Sequence, residues 1–169
     1  GGGPAGPTPA LYAARAGKDV LVLEGANPGG QINDSPLVDN YPGLPGMSGA
    51  QFAQDLVQQT LNQGARLREE EVIALRVRGE LLEVTTDAGR YTAPALVLAT
   101  GVTHRKLGLP GEDELVGAGV SYCAVCDGAF YQGRPAAVVG GGDTALQEAL
   151  FLAQSCAQVT LIHRRDQFR

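Results

Sequence analysis

Pro135-Ala-Ala-Val-Val-Gly140-Gly-Gly-Asp-Thr-Ala145 is the segment of the chain that indicates its fold most clearly. The five apolar residues before Gly140 are typical of a short buried strand, and the three glycines that follow predict a tight turn. A predicted helix, Leu146 to Ser155, and a second strand, Gln158 to Ile162, complete the pattern. Strand, glycine turn, helix and strand form the βαβ unit of a doubly wound α/β sheet.

The glycine turn of this unit has the spacing of a dinucleotide-binding loop, Gly140-x-Gly142-x-x-Ala145. Residues without bulky side chains let the backbone approach a pyrophosphate, which then lies at the N-terminus of the following helix. Ala145 is small enough to replace the third glycine of the motif. The turn is therefore predicted to bind a dinucleotide.

Three basic residues, His163, Arg164 and Arg165, follow the second strand, at the position where an acidic residue would repel a 2′-phosphate. Arginine guanidinium groups bind phosphate through paired hydrogen bonds. The alternative is an ordinary run of solvated charges, but the place of these residues after a complete nucleotide motif favours binding. We therefore predict NADPH rather than NADH in this unit.

A second glycine motif, Gly1-x-Gly3-x-x-Gly6, opens the chain. A predicted helix, a short apolar strand and then Glu24 follow it, and a carboxylate at that position suits a ribose hydroxyl. A glycine-rich tail is the alternative, because no strand precedes the motif in this chain. The elements that follow favour a second dinucleotide site.

The pair Cys123-x-x-Cys126 places two thiols one helical turn apart, where they can close a disulfide. Asp127 adjoins the second cysteine and is predicted to move protons as the disulfide opens and closes. Zinc is the alternative, but a structural zinc site needs four ligands. The other candidate ligands lie at no recognised spacing: His104, Cys156 and His163. We therefore predict redox chemistry and no metal.

Two nucleotide motifs with a dithiol between them predict a path for electrons. A flavin takes hydride from NADPH and passes two electrons to sulfur, so the nucleotide bound at the first motif is predicted to be FAD.

The 169 residues include 24 glycines and carry a net charge of −5. This acidic balance argues against non-specific nucleic-acid binding, and the apolar runs are too short to span a bilayer. Three cysteines are too few for a disulfide scaffold, which indicates an intracellular protein.

The rest of the sequence predicts further elements of an α/β fold. Leu67 to Tyr91 indicates a small antiparallel meander, and Gly108 to Gly119 indicates a linker between domains. Ser48 is predicted to cap a helix that ends at Gly64. The other predicted elements are a helix from Ala10 to Ala16, strands from Asp19 to Leu23 and from Ala95 to Ala99, and a functional loop from Glu24 to Met47.

Over its whole length the chain resembles the low-molecular-weight thioredoxin reductases of bacteria, plants and fungi. The motifs that carry the resemblance are the two glycine loops, Gly29-Gly-Gln31, Asp39-Asn-Tyr-Pro-Gly43, Leu98-Ala-Thr-Gly101, Cys123-Ala-Val-Cys-Asp-Gly128 and His163 to Arg169. The cysteine motif is the most specific of these, because the glutathione reductase type carries its cysteines in the FAD half.

The resemblance implies a flavoprotein that passes electrons from NADPH through FAD to the Cys123–Cys126 disulfide, with Asp127 as proton donor, and on to thioredoxin. The alternatives are a related reductase that serves a peroxiredoxin or another partner, and a non-catalytic remnant. The residues implied in FAD binding are Gly1, Gly3, Pro4, Ala5, Gly6, Glu24, Gly29, Gly30, Gln31, Asn40, Thr100 and Gly101. Those implied in NADPH binding are Gly140, Gly142, Asp143, Thr144, Ala145, His163, Arg164 and Arg165.

The resemblance also implies two Rossmann-like, doubly wound FAD/NAD(P)-binding domains with three layers, both incomplete. Residues 1–110 would be the FAD-binding domain without its first strand, residues 111–118 a linker, and residues 119–169 the first part of the NADPH-binding domain. Members of the family are cytoplasmic homodimers. They have a strand before the first motif and a C-terminal return that this sequence lacks, so we expect a fragment that is inactive alone and holds FAD weakly.

Overall fold

The computed structural model of the protein describes residues 1–168, so Arg169, the last residue of the segment that begins at His163, lies outside the described residues. The chain divides into two compact units, Gly1–Thr103 and His104–Arg169. Its helices are α1 (Pro7–Arg15), α2 (Gly49–Asn62), α3 (Ala124–Asp127) and α4 (Asp143–Leu152). Its strands are β1 (Leu21–Glu24), β2 (Arg66–Glu69), β3 (Val72–Arg78), β4 (Leu81–Thr86), β5 (Arg90–Ala93), β6 (Pro135–Val139) and β7 (Gln158–Ile162). Short 3-10 helices span Gly30–Asp34, Asp113–Leu115 and Gly128–Tyr131.

The first unit carries a parallel strand pair beside two helices. β1 pairs with β2, with Leu21 opposite Arg66. α1 begins at Pro7, three residues before the predicted start at Ala10, and proline suits the first position of a helix. Pro9 lies in the same first turn, where backbone N–H groups have no partner within the helix, so its missing N–H breaks no helical hydrogen bond.

The second helix starts where its capping residue predicts. The Ser48 hydroxyl oxygen accepts a hydrogen bond from the Gln51 N–H at 3.2 Å, and Gly64, with φ +94°, follows the end of the helix. α1 and α2 meet at Thr60, which is only 2% exposed. Its hydroxyl lies 2.8 Å from the Leu56 carbonyl oxygen and 3.2 Å from that of Pro7, which ties the two helices together.

The predicted meander is confirmed from Val72 onward, where β3, β4 and β5 form an antiparallel sheet. The prediction is wrong for the first part of this segment, because Arg66–Glu69 pairs in parallel with β1 and does not belong to the antiparallel sheet. The predicted strand from Ala95 to Ala99 is wrong: Leu96, Val97 and Leu98 belong to no regular element and are 39%, 64% and 72% exposed. A strand needs a hydrogen-bonded neighbour, and no strand within residues 1–168 pairs with this segment.

A buried carboxylate closes the base of the meander. Glu70 accepts hydrogen bonds of 2.6 Å from the hydroxyls of Thr86 and Tyr91, and Arg68 lies 3.8 Å away. These hydrogen bonds hold the pKa of the Glu70 carboxyl below its ordinary value, and the bond from Thr86 has the largest effect. The hydrogen bond to Glu70 raises the pKa of the Tyr91 phenol. The ionised carboxylate therefore stabilises the folded sheet.

We expect Glu70→Gln to lower the melting temperature of the protein by a few degrees near pH 7. A carboxyl whose pKa is lowered by folding stabilises the protein above its unfolded pKa, near 4.5, and this contribution is lost as the pH falls through the folded value. The difference between variant and wild type should therefore shrink below about pH 4 in thermal melts. Glu69→Gln, at the exposed neighbouring position, is the control. A difference that does not change with pH would contradict this account.

The second unit contains the predicted βαβ pattern. β6 and β7 are parallel, with Pro135 opposite Gln158, and α4 packs against both strands. Ala124, Val138 and Leu152 form its buried core. α4 begins at Asp143, three residues before its predicted start, because Gly142 is already extended at φ −98° and ψ 175° and caps the helix. None of the helices in the described residues has the length and apolarity that crossing a bilayer requires.

Candidate functional site

The opening glycine motif forms a closely packed loop before α1. A Cβ added at Gly6 would overlap the carbonyl oxygen of Gly1, and one added at Gly1 would overlap that of Ala99. The Gly6 N–H donates to the Gly3 carbonyl oxygen at 2.9 Å. Glycine at the first and third motif positions is therefore required by backbone packing, as it is in dinucleotide-binding loops.

A second glycine pair contacts this loop. The Gly29 N–H donates to the Gly2 carbonyl oxygen at 2.9 Å, and a Cβ at Gly30 would lie 3.4 Å from the Cα of Gly3. Gly29 has φ +111°, which disfavours other residues. The backbones of the two loops are therefore in contact at Gly2, Gly3, Gly29 and Gly30, where the absence of Cβ atoms permits the close approach that a dinucleotide-binding loop needs.

Glu24 ends β1 beside the same loops. Its carboxylate accepts hydrogen bonds from the Gly2 N–H and, at 3.0 Å, from the Ala26 N–H. The carboxylate is therefore fixed where the chain turns from β1 into the loop that contains Gly29. One carboxylate oxygen has further lone pairs that could accept from a ligand hydroxyl.

Gln31 joins a third segment to these two loops. Its side-chain amide donates to the carbonyl oxygen of Val102, next to Thr100 and Gly101. Gly1, at the other end of the motif, faces Ala99. The structure thus brings together most of the residues predicted to bind FAD. Asn40 is the exception: it lies exposed in a loop, and no hydrogen bond within residues 1–168 joins it to the others.

The second glycine turn is also shaped by close contacts. The Gly140 N–H donates to the Ile162 carbonyl oxygen at 3.0 Å, which ties the turn to β7. A Cβ at Gly140 would lie 2.7 Å from that of Ala145, so one of these two positions must lack a side chain. A Cβ at Gly142 would meet no atom within 4 Å, so its backbone is open to a ligand.

The basic residues after β7 lie beside this turn. The His163 ring covers Gly141, where an added Cβ would overlap it, and the His163 Nε2 lies 3.0 Å from the Gln167 carbonyl oxygen. Arg164 and Arg165 are exposed. The turn, the N-terminus of α4 and these exposed cations are the groups that an NADPH phosphate site needs.

Cys123 and Cys126 form a disulfide at the start of α3. Their Cα atoms are 5.3 Å apart, and the Cys126 N–H donates to the Cys123 sulfur at 3.2 Å. Cys123 is half-buried and Cys126 is exposed, with Asp127 half-buried beside it. Within residues 1–168, no group of three or more metal-ligating side chains comes together. The exposure of Cys126 makes this end of the disulfide the one that a partner thiol could reach.

The residues before the disulfide fold around a buried carboxylate. Glu112, 6% exposed, accepts from the N–H groups of Leu107, Gly108 and Leu109 at 2.9, 2.7 and 3.3 Å. It also accepts from the Tyr122 hydroxyl at 2.9 Å. These hydrogen bonds hold the pKa of the Glu112 carboxyl below its ordinary value, and the bond from the Leu107 N–H has the largest effect. The hydrogen bond to Glu112 raises the pKa of the Tyr122 phenol.

Comparison with known proteins identifies the family of this chain. The sequence matches the family described as pyridine nucleotide-disulphide oxidoreductase over residues 1–169. The chain belongs to this family. The glycine loops and the cysteine pair described above are thus features of a pyridine nucleotide-disulphide oxidoreductase.

Within the family, several proteins similar to this chain are thioredoxin reductases. The chain is 50% identical over 171 residues to a bifunctional thioredoxin reductase/thioredoxin of Mycobacterium leprae, covering 100% of this chain and 37% of that protein. It is 44% identical over 170 residues to a thioredoxin reductase of Treponema pallidum, covering 100% of this chain and 55% of that protein. The crystal structure of the Streptococcus pyogenes thioredoxin reductase superposes with a TM-score of 0.94 at 43% identity, over 100% of this chain and 55% of that one. The chain therefore spans about half the length of most of these relatives.

Sequence reasoning missed several residues that organise these sites in this family member. Gly2 donates its N–H to the Glu24 carboxylate, and its carbonyl oxygen accepts from the Gly29 N–H. Glu112 accepts from the Tyr122 hydroxyl and Glu148 from the Ala124 N–H at 3.2 Å, so these two carboxylates bond to the residues on either side of Cys123. The glycine motif itself could have indicated Gly2, but isolated acidic residues in the sequence carry no comparable indication.

Proposed function

We propose that the protein containing this chain is a flavoprotein that passes electrons from NADPH through FAD to the Cys123–Cys126 disulfide and on to thioredoxin. The observation that carries the proposal is a closed disulfide with an exposed cysteine, Cys126, in the same unit as a βαβ glycine turn whose second strand leads to Arg164 and Arg165. The names of the similar proteins support it.

The proposed domains are two doubly wound, three-layer nucleotide-binding domains. Residues 1–110 would belong to the FAD-binding domain, residues 119–169 to the NADPH-binding domain, and residues 111–118 to a linker between them. The parallel pair β1–β2 with α1, and the parallel pair β6–β7 with α4, support this assignment, because each pair follows or flanks a glycine turn. A homodimer in the cytoplasm is the proposed setting, by analogy with the family.

The residues around the first glycine loop fit FAD. Gly3, Pro4, Ala5 and Gly6 would face the pyrophosphate at the N-terminus of α1, and Glu24 would accept from a ribose hydroxyl. Gly29, Gly30 and Gln31 would complete the site together with Thr100 and Gly101, with Asn40 near the flavin. When bound, FAD supplies a two-electron carrier between NADPH and the disulfide. The backbone packing that leaves no room for a Cβ at Gly1 and Gly6 is the structural support for this fit, because it gives the loop the close turn of a dinucleotide-binding motif.

The residues around the second glycine turn fit NADPH. Gly140 and Gly142 would let the backbone approach the pyrophosphate, and Ala145 keeps the helix close to the strands. Asp143 and Thr144 begin α4, whose N–H groups favour an anion. His163, Arg164 and Arg165 would lie beside the 2′-phosphate, and the exposure of both arginines leaves their guanidinium groups free to bind it.

The disulfide then acts as a two-electron relay. Two electrons and two protons convert the Cys123–Cys126 bond into two thiols, and Asp127 would supply and receive a proton beside Cys126. The exposed Cys126 thiolate would attack the disulfide of thioredoxin, forming a mixed disulfide and releasing one thioredoxin thiol. Cys123 would then attack Cys126, which restores the protein disulfide and releases the second thioredoxin thiol.

Coenzyme choice tests this assignment. With the full-length protein and oxidised thioredoxin, replacing both Arg164 and Arg165 by alanine should raise the KM for NADPH roughly tenfold to hundredfold, because two charge-assisted contacts to the 2′-phosphate are lost. The KM for NADH should change little. Arg105→Ala, at another exposed cation of this unit, is the control. An equal rise for both coenzymes would contradict a 2′-phosphate site.

The identity of the acceptor needs a separate measurement. Thioredoxin should be reduced by NADPH at a rate well above that of a peroxiredoxin supplied at the same concentration. A faster rate with the peroxiredoxin would replace thioredoxin by that partner, and no NADPH-dependent reduction of either would favour a non-catalytic protein.

A further inference from the structure

Cys123 lies between two residues that are each held by a carboxylate. On one side, the Tyr122 hydroxyl donates to Glu112 at 2.9 Å. On the other, the Ala124 N–H donates to Glu148 at 3.2 Å. We call these two carboxylates, with the hydrogen bonds that they accept, the anchors of Cys123. Glu112 belongs to the loop before α3 and Glu148 to α4, so the two anchors come from different parts of this unit.

The anchor at Glu112 is rigid. Three backbone N–H groups and a phenol share its two carboxylate oxygens, so the side chain has little freedom to move. The Tyr122 ring also stacks on His104, with ring centres 4.5 Å apart and planes 4° from parallel. Tyr122 is therefore fixed at both its ring and its hydroxyl, and the position of its backbone limits where Cys123 can lie.

The anchor at Glu148 is part of the core of the unit. Ala124 is buried against Val138 and Leu152, and Leu152 ends the helix that carries Glu148. The Ala124 N–H is the first of α3, where no helical partner is available, so Glu148 supplies the acceptor that the helix lacks. This bond holds the turn between Cys123 and Cys126 against α4.

We propose that Glu112 and Glu148 are positioning residues that hold Cys123 from both sides, and so keep its thiol within bonding reach of Cys126 after the disulfide is reduced. Closing a disulfide within a protein is favoured by the effective concentration of one thiol near the other, which falls when the backbone gains freedom. The anchors thus stabilise the disulfide relative to the dithiol. The inference rests on the proposed function only in taking this cysteine pair as the redox-active one.

The test is the equilibrium of the pair with glutathione. The two thiols and one glutathione disulfide react to give the Cys123–Cys126 disulfide and two glutathione thiols. Alkylation of the remaining thiols and mass analysis of the peptide that contains both cysteines measure the equilibrium constant in the full-length protein. Neither NADPH nor thioredoxin enters this measurement, so its failure is distinct from a failure of the proposed electron path.

Two variants loosen one anchor each. Tyr122→Phe removes the hydroxyl that reaches Glu112 but keeps the ring on His104, and Glu148→Ala removes the acceptor of the Ala124 N–H. Each should lower the equilibrium constant for disulfide formation roughly threefold to tenfold, and a tenfold change corresponds to about 30 mV. In Glu148→Ala the Ala124 amide should also exchange its hydrogen faster.

Conservative variants separate positioning from charge and from general loss of stability. Glu148→Gln keeps an oxygen that can accept from the Ala124 N–H, and should stay within about twofold of the wild-type constant. Glu114→Gln, at an exposed position of the same loop, and Tyr131→Phe, outside both anchors, should also leave it unchanged. Wild-type constants in both loosened variants would overturn the proposal. So would a shift in Glu148→Gln as large as that in Glu148→Ala, because the charge would then be responsible.

Discussion

Cys126→Ser should lower the NADPH-driven reduction of thioredoxin by about a thousandfold or more. The variant has no disulfide to accept electrons, and it lacks the thiol of the exposed Cys126 that would attack the partner. A serine hydroxyl cannot replace it, because it forms no bond equivalent to a disulfide under these conditions. The measurement is the steady-state rate with the full-length protein, NADPH and oxidised thioredoxin.

Two further cysteine variants make this result specific. Cys156→Ser should retain the wild-type rate, because Cys156 takes no part in the disulfide and its half-buried thiol lies 3.6 Å from the Tyr131 carbonyl oxygen. Cys123→Ser should be as inactive in turnover as Cys126→Ser, because the thiol that would resolve the mixed disulfide and restore the Cys123–Cys126 bond is missing. Full turnover in Cys126→Ser would remove this disulfide from the electron path.

The fold could be predicted where local sequence and long-range contacts agree. The unit from Pro135 to Ile162 combines apolar strands with a glycine turn, and each element occurs as expected, with α4 starting early because Gly142 caps it. Leu96, Val97 and Leu98 show the opposite case. Their apolar character resembles that of a buried strand, but a strand also requires a pairing partner, which the composition of a segment cannot indicate.

The same distinction applies to the candidate sites. The glycine spacing located both loops, because it reports a local backbone requirement. The sequence could not indicate that the Gln31 side chain reaches Val102, a contact between residues 71 positions apart. Nor could it distinguish Glu112 from a solvated surface acid, since burial of this carboxylate depends on how the loop from Leu107 to Tyr122 closes around it. The roles of the individual binding residues remain predictions.

Gly6→Ala should weaken FAD binding by about a hundredfold, because a small displacement of the groups that hold a ligand has effects of that size. The new methyl group would overlap the carbonyl oxygen of Gly1 and lie 3.7 Å from the Ala99 side chain. Both the carbonyl group and α1 belong to the packed backbone, so neither can yield without moving the loop away from the helix N-terminus. Titration of the FAD-free full-length protein, followed by flavin fluorescence, measures the effect.

The control for this variant is Gly89→Ala. A Cβ at Gly89 would meet no atom within 4 Å, so this substitution adds the same methyl group without a clash and should leave FAD affinity unchanged. NADPH binding by Gly6→Ala should also persist, because its proposed residues belong to the other compact unit. Loss of FAD with NADPH retained would therefore place the flavin at the first glycine loop. The overlap with the Gly1 carbonyl oxygen forces the loop from Gly1 to Gly6 to change its conformation. Wild-type FAD affinity in Gly6→Ala would therefore show that this loop does not hold the flavin nucleotide.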